Sequence, residues 1–147
     1  MKNFIKNQKG FTLVELVVVI AILGILAGLA IPRFMDATAS ARGARIVADM
    51  RTIDSAVLMY NAKTGNLPVD IAAITTDNAN NSQYKLLAAW PTPPTGKAIV
   101  TAFNGSEKIL TGNVTAYTLG SDTATDATQG RALYDGQTVD QILTVSK

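Results

Sequence analysis

The sequence predicts an α+β fold in which a long N-terminal α-helix packs its C-terminal half on a small antiparallel β-sheet. Three observations carry that prediction. An apolar run opens near residue 11 and lasts about one bilayer thickness. An amphipathic helical stripe follows it without a break. The second half of the chain holds short β-rich runs separated by turn residues.

Residues 11–32, FTLVELVVVIAILGILAGLAIP, form the first element. Between Leu16 and Ile31 there is no charged or strongly polar side chain. At ~1.5 Å per residue the run from Phe11 to Ile31 spans roughly 30 Å, the thickness of a hydrocarbon core. Ahead of it stands MKNFIKNQKG, residues 1–10, with three lysines and no acid. Lysines on that side favour a cytoplasmic N-terminus. Pro32 then removes a backbone donor and crowds the preceding turn. With Gly24 and Gly28 upstream, it predicts a kink or local melting of the helix.

The helical pattern resumes at once and occupies 33–64. Ile46, Met50, Ile53, Val57 and Tyr60 recur at spacings of four and three, which is one apolar stripe suited to a sheet. Ala37, Ala39, Ala41, Gly43, Ala44 and Ala48 thin another surface, as helix–helix approach requires. Arg45 and Asp49 lie four apart and can pair. Arg33, Arg42, Arg45 and Arg51 read as a solvated or intersubunit face. The segment Thr64-Gly65-Asn66-Leu67-Pro68 ends the helix. As one rod, 11–63 would reach roughly 80 Å, a length suited to a filament subunit rather than a small globule.

Residues 65–147 complete the chain as a connecting loop and a sheet. Within the loop, Tyr84–Ala89 is a candidate short helix, and Trp90-Pro91-Thr92-Pro93-Pro94 is extended. Candidate strands are 98–103, 108–110, 114–119, 132–134 and 139–145. Asn104-Gly105 and Asp135-Gly136 are hairpin turn signals.

Composition limits the chemistry. The 147 residues suit one domain, 48% hydrophobic and 16% charged. There is neither Cys nor His. Disulfides, thiolate nucleophiles and the commonest general base are therefore excluded, and no enzymatic activity is expected. Without Lys2, Lys6 and Lys9 the net charge falls from +2 to −1, so no nucleic-acid binding is expected.

Three roles compete for the first thirty-two residues. They are a plain membrane anchor, a secretory signal peptide cut before Ile31 after the small residues Gly28 and Ala30, and a short leader cut between Gly10 and Phe11. Glu15 favours the last. A carboxylate within an apolar segment costs free energy and marks a function with a partner charge. A cut before Phe11 creates such a partner, an α-amine four residues away. The same pair formed between copies would set the register of one helix on the next.

The run Lys9-Gly10-Phe11-Thr12-Leu13-Val14-Glu15-Leu16 resembles the class III signal of type IV pilins and type II secretion pseudopilins. The resemblance covers the first third of the chain strongly and the remainder weakly. It implies that a prepilin peptidase removes residues 1–10 and that Phe11 is then N-methylated. It implies further that Glu15 neutralises a neighbour's amine during assembly, and that Pro32 is the helix-breaking proline common in the family. The implied product is a helical homopolymer built by pilus machinery in the cytoplasmic (inner) membrane and displayed as a cell-surface filament for adhesion or motility. A type II secretion pseudopilin or a competence pilin for DNA uptake is the alternative. No cofactor is implied. Asp122 and Asp126, in Ser121-Asp122-Thr123-Ala124-Thr125-Asp126, offer oxygen ligands of the kind calcium takes, beside the weightier reading of a solvated loop. Asn80, Asn104 and Asn113 head N-x-S/T triplets.

Overall fold

A computed structural model describes residues 10–76, 85–111, 114–121 and 123–144. The element order is α1 (Leu13–Thr64), α2 (Ala72–Thr75), β1 (Ala98–Thr101), β2 (Glu107–Leu110), β3 (Thr118–Leu119), β4 (Ala132–Leu133) and α3 (Val139–Leu143). The chain divides into two compact units, Met1–Asp36 and Ala37–Lys147.

In the first unit the helix is continuous through Pro32. The local melting suggested by the proline and the two upstream glycines does not occur. What the proline removes is the donor that an α-helix would aim at the Gly28 carbonyl.

The second unit is built on the apolar stripe. Ile46, Met50, Ile53 and Val57 are buried, and Tyr60 packs against them half-buried. They join Ala98, Val100, Leu110, Tyr117, Ala132, Tyr134, Val139, Ile142 and Leu143 in one cluster. Each large aliphatic side chain so buried contributes ~1.5–3 kcal/mol. Ala39 and Gly43 extend the buried face. The partner of that thin surface is β1, not another helix: a Cβ on Gly43 would fall on the Ile99 carbonyl oxygen. Ala37, Ala41, Ala44 and Ala48 stay exposed.

α1 stops at Gly65, whose φ of 78° suits a residue without Cβ and whose N–H reaches the Asn61 carbonyl at 2.7 Å. The expected connecting loop contains α2, begun by the Asp70 carboxylate accepting from the Ala73 N–H at 2.9 Å. The short helix expected at Tyr84–Ala89 is not there. Residues 85–89 are irregular, and Leu86 and Leu87 hang their N–H groups on the Ile74 carbonyl instead. Tyr84 lies outside the described residues.

The single sheet becomes two antiparallel ribbons. β1 pairs with β2, from Ala98 opposite Leu110 to Thr101 opposite Glu107. β3 pairs with β4 over two residues each. Asn104-Gly105 does make a hairpin, through the three-residue loop Phe103-Asn104-Gly105. The Ala102 N–H donates to the Ser106 carbonyl at 2.8 Å, and Gly105 has a φ of 82°. Asp135-Gly136, with φ of 54° and 71°, closes only the isolated Tyr134–Gln137 bridge.

Where a strand is expected at 139–145, Val139–Leu143 is a helix, and Val145 lies outside the described residues. Thr138 caps it: its hydroxyl accepts from the Gln141 N–H, and the Gln141 carboxamide oxygen accepts from the Thr138 N–H at 2.8 Å. This reciprocal capping box outweighs the β-branched residues, and the buried Val139, Ile142 and Leu143 follow helical spacing.

Three polar ties fasten the unit. The Asp54 carboxylate accepts from the Arg131 Nε–H at 3.0 Å and the Ala132 N–H at 2.7 Å, and Arg131 Nη2 also reaches Asp140 at 3.2 Å. Burial pulls Arg131 down, but the hydrogen bonds and charges of Asp54 and Asp140 outweigh it and hold the guanidinium above its ordinary range. The Tyr117 hydroxyl donates to Asp49 at 3.1 Å, and Asp49 also pairs with Arg45 at 3.6 Å. The Trp90 indole N–H donates to the Tyr117 carbonyl at 2.9 Å.

Candidate functional site: the start of the apolar helix

Gly10 is exposed and non-helical, as are Phe11 and Thr12. Phe11 is 89% exposed. The Gly10–Phe11 peptide bond therefore lies on exposed, non-helical chain.

The helix begins at Leu13 because Thr12 caps it. The Thr12 hydroxyl accepts from the Glu15 N–H at 3.2 Å. In return the Glu15 Oε2 accepts from both the Thr12 N–H and the Thr12 hydroxyl at 2.9 Å. Reading the sequence for a partner to Glu15 points to the new amine and misses this one. The signal was present as Thr-x-x-Glu ahead of an apolar run. The acid sits in the first turn, where it meets the positive end of the helix dipole.

From Leu13 to Met35 the large hydrophobic side chains are exposed. α1 contains an 18-residue window of mean hydropathy 2.8, none of it buried, long and apolar enough to cross a membrane. Such a surface is stable in water only when covered. The site brings together Gly10, Phe11 and Glu15 at one end of that surface, with Pro32 near its other end.

The prokaryotic N-terminal methylation motif matches residues 5–31. The N-terminal third is thus similar to that of type IV pilins and type II secretion core proteins. Over 51 residues, 35% of the chain and 33% of the relative, the sequence is 49% identical to a fimbrial protein of Pseudomonas aeruginosa. Over 63 residues, 43% of the chain, it is 46% identical to the type IV major pilin protein PilE of Neisseria gonorrhoeae, covering 38% of it. It is 40% identical over 63 residues to the type II secretion system core protein G of Klebsiella michiganensis, covering 44% of it. The match thus spans about a third to under half of these relatives' length. No solved structure matches the chain.

The acidic loop looks different. Asp122 lies outside the described residues. The Asp126 carboxylate accepts from the Thr128 hydroxyl and from its N–H at 2.9 Å, bonds that hold it below the ordinary carboxylate range. Among the described residues no cluster of three or more acids could hold a metal. Of the three N-x-S/T triplets, Asn80 and Asn113 lie outside the described residues. Asn104 is exposed at the hairpin tip, its Oδ1 accepting from the Ser106 N–H.

Proposed function

We propose that this chain is the repeating subunit of a type IV pilus filament. Prepilin peptidase cuts between Gly10 and Phe11, and Phe11 is N-methylated. The apolar helix holds the subunit in the cytoplasmic membrane until assembly, then packs against copies of itself, leaving the sheet unit on the filament's exterior. The observation that carries this reading is an exposed apolar helical surface from Leu13 to Ile31 whose one charge is Glu15 in its first turn. The carboxylate has two oxygens, and Thr12 is bonded to Oε2. The other oxygen serves the amine of a neighbouring Phe11, and Thr12 holds the group in place for it.

The relatives named as type II secretion core proteins favour a second reading, a pseudopilin. Material sheared from the cell surface separates the two. A subunit starting at Phe11 with one added methyl in abundant sheared filaments supports the pilus. The same processed chain confined to the envelope supports the pseudopilus. Glu15→Ala is expected to be cleaved normally and to lose most of its filaments. Normal filament yield from that variant would refute the charge-pairing role. A chain starting at Met1 or Ile31 would refute the processing.

A further inference from the structure

Asn104-Gly105-Ser106 lies at the exposed tip of the β1–β2 hairpin, and neither the core nor the proposed assembly uses it. It holds the one Asn-Gly pair in the sequence; every other asparagine is followed by a residue with a side chain. Such a side chain crowds the backbone nitrogen that precedes it, whereas glycine leaves that nitrogen open. A Cβ built on Gly105 would meet no atom within 4 Å, so the tip has room to change shape. The Asn104 carboxamide is held by its oxygen. Oδ1 accepts from the Ser106 N–H at 3.0 Å and from the Ser106 hydroxyl at 2.6 Å. Both bonds draw electron density towards oxygen and leave the carboxamide carbon more open to attack.

We propose that Asn104 is a self-modification site, converted through a succinimide to aspartate and isoaspartate with Ser106 as the assisting donor. The Gly105 backbone nitrogen gives its proton to solvent and bonds to Asn104 Cγ, which closes an imide ring. Negative charge gathers on Oδ1, where the two Ser106 donors already point. The Cγ–Nδ2 bond then breaks, and the nitrogen leaves as ammonia with a proton from water. Water next opens the ring. Hydrolysis at Cγ gives aspartate; hydrolysis at the backbone carbonyl gives isoaspartate, with the chain running through Cβ and Cγ. The sum is asparagine and water to acid and ammonia. One bond opposes the attack: the Gly105 N–H donates to the Ala102 carbonyl at 2.9 Å and must let go first. Residues 103–107 are all exposed, so that opening is a local fluctuation rather than unfolding. The aspartate product keeps an acceptor for the Ser106 N–H, so the hairpin survives. Each event adds a negative charge beside the exposed Glu107, and nothing in the chemistry restores the amide. The charge of the tip therefore records the age of the chain.

The full chain is incubated in warm neutral buffer, sampled over time, digested with trypsin and read by mass spectrometry. Cuts after Lys97 and Lys108 place Asn104 in the 98–108 peptide as its sole asparagine. Asn61, within α1 and followed by Ala62, is the internal control. The 98–108 peptide is expected to gain the mass of an acid in place of an amide and to split into aspartate and isoaspartate peaks. Its rate should be at least ~10 times that at Asn61, whose following nitrogen is fixed in the helix ladder. Ser106→Ala should slow the conversion by about three- to tenfold, the worth of one net hydrogen bond expressed as a rate. Ser106→Thr keeps the hydroxyl and should restore it. Loss of the Asn104 amide no faster than that of Asn61 would overturn the site. Equal rates in the unaltered chain and Ser106→Ala would overturn the assistance by Ser106. The experiment needs no filament, so its failure leaves the assembly reading untouched.

Discussion

Replacing Asp54 with alanine removes the acceptor that ties α1 to the strand at Ala132. Two groups lose their partner. The Ala132 N–H, on a residue with no exposed surface, is bonded at 2.7 Å and has no water to turn to. Leaving a buried donor unsatisfied costs about 1–3 kcal/mol. The Arg131 Nε–H loses a 3.0 Å charged partner, but its side chain is 36% exposed and keeps Asp140. That loss is screened and adds less than about 1 kcal/mol. The expected destabilisation is about 2–3 kcal/mol. For a unit of this size each kcal/mol moves the melting temperature by roughly 4 °C, so the drop is about 10 °C. The assay is a thermal and urea melt of the full chain in detergent, followed by Trp90 fluorescence, since that indole is bonded to the carbonyl of Tyr117, the residue before β3. Asp54→Asn retains an oxygen for Ala132 and should recover more than half of the loss. A Asp54→Ala variant within 0.5 kcal/mol of wild type would show that water reaches Ala132 and that the tie is incidental.

Two more outcomes follow from the packing. Helix propensity alone makes Gly43→Ala stabilising by ~1 kcal/mol, yet the new methyl lands on the Ile99 backbone carbonyl. The clash wins, and a net loss of about 2 kcal/mol is expected in urea melts; a gain would mean that β1 yields freely. Burial, then the Asp49 charge and hydrogen bond, raise the Tyr117 phenol, and burial followed by Asp135 raises Tyr134. A phenol raised in the folded state stays protonated while the unfolded chain ionises. The unfolded state then binds fewer protons, so stability is full below pH ~10 and falls as pH climbs towards the folded values. Absorbance at 295 nm and urea midpoints from pH 9 to 12 should record both the late ionisation and the falling midpoint; a flat midpoint would refute it.

What was legible in the sequence was local. The stripe from Ile46 to Tyr60 reads directly because a buried helical face must repeat near 3.6 residues. Asn104-Gly105 reads as a turn because the site needs a positive φ. The segment at 139–145 misled because Val139, Ile142 and Val145 suit a strand, while the deciding feature was a side-chain cap from Thr138 outside the run. At the candidate site, the glycine, the aromatic residue and the acid were read from residue type and spacing, and all three lie at the exposed start of α1. The Thr12 cap was missed because attention to a charge partner overlooked a neutral one. Nothing local announces that Asp54 meets Arg131 across 77 residues, or that Gly43 is small for the sake of β1. Such pairings exist only once the chain has closed on itself.

The same long separations set an order of events in time. α1 needs only neighbours in sequence and can form as soon as Thr64 has been made, in roughly a microsecond. Its partners come much later: Tyr117 stands 68 residues beyond Asp49, and Ala132 stands 78 beyond Asp54. At synthesis rates of about 5–20 residues per second, the helix waits several seconds with Ile46, Met50 and Ile53 uncovered. Over that interval the nascent chain presents a bare apolar stripe next to an apolar run already suited to lipid. The vulnerable period of this protein's life is therefore the translation of the residues after Thr64, when a chaperone or the bilayer surface must stand in for strands that do not yet exist.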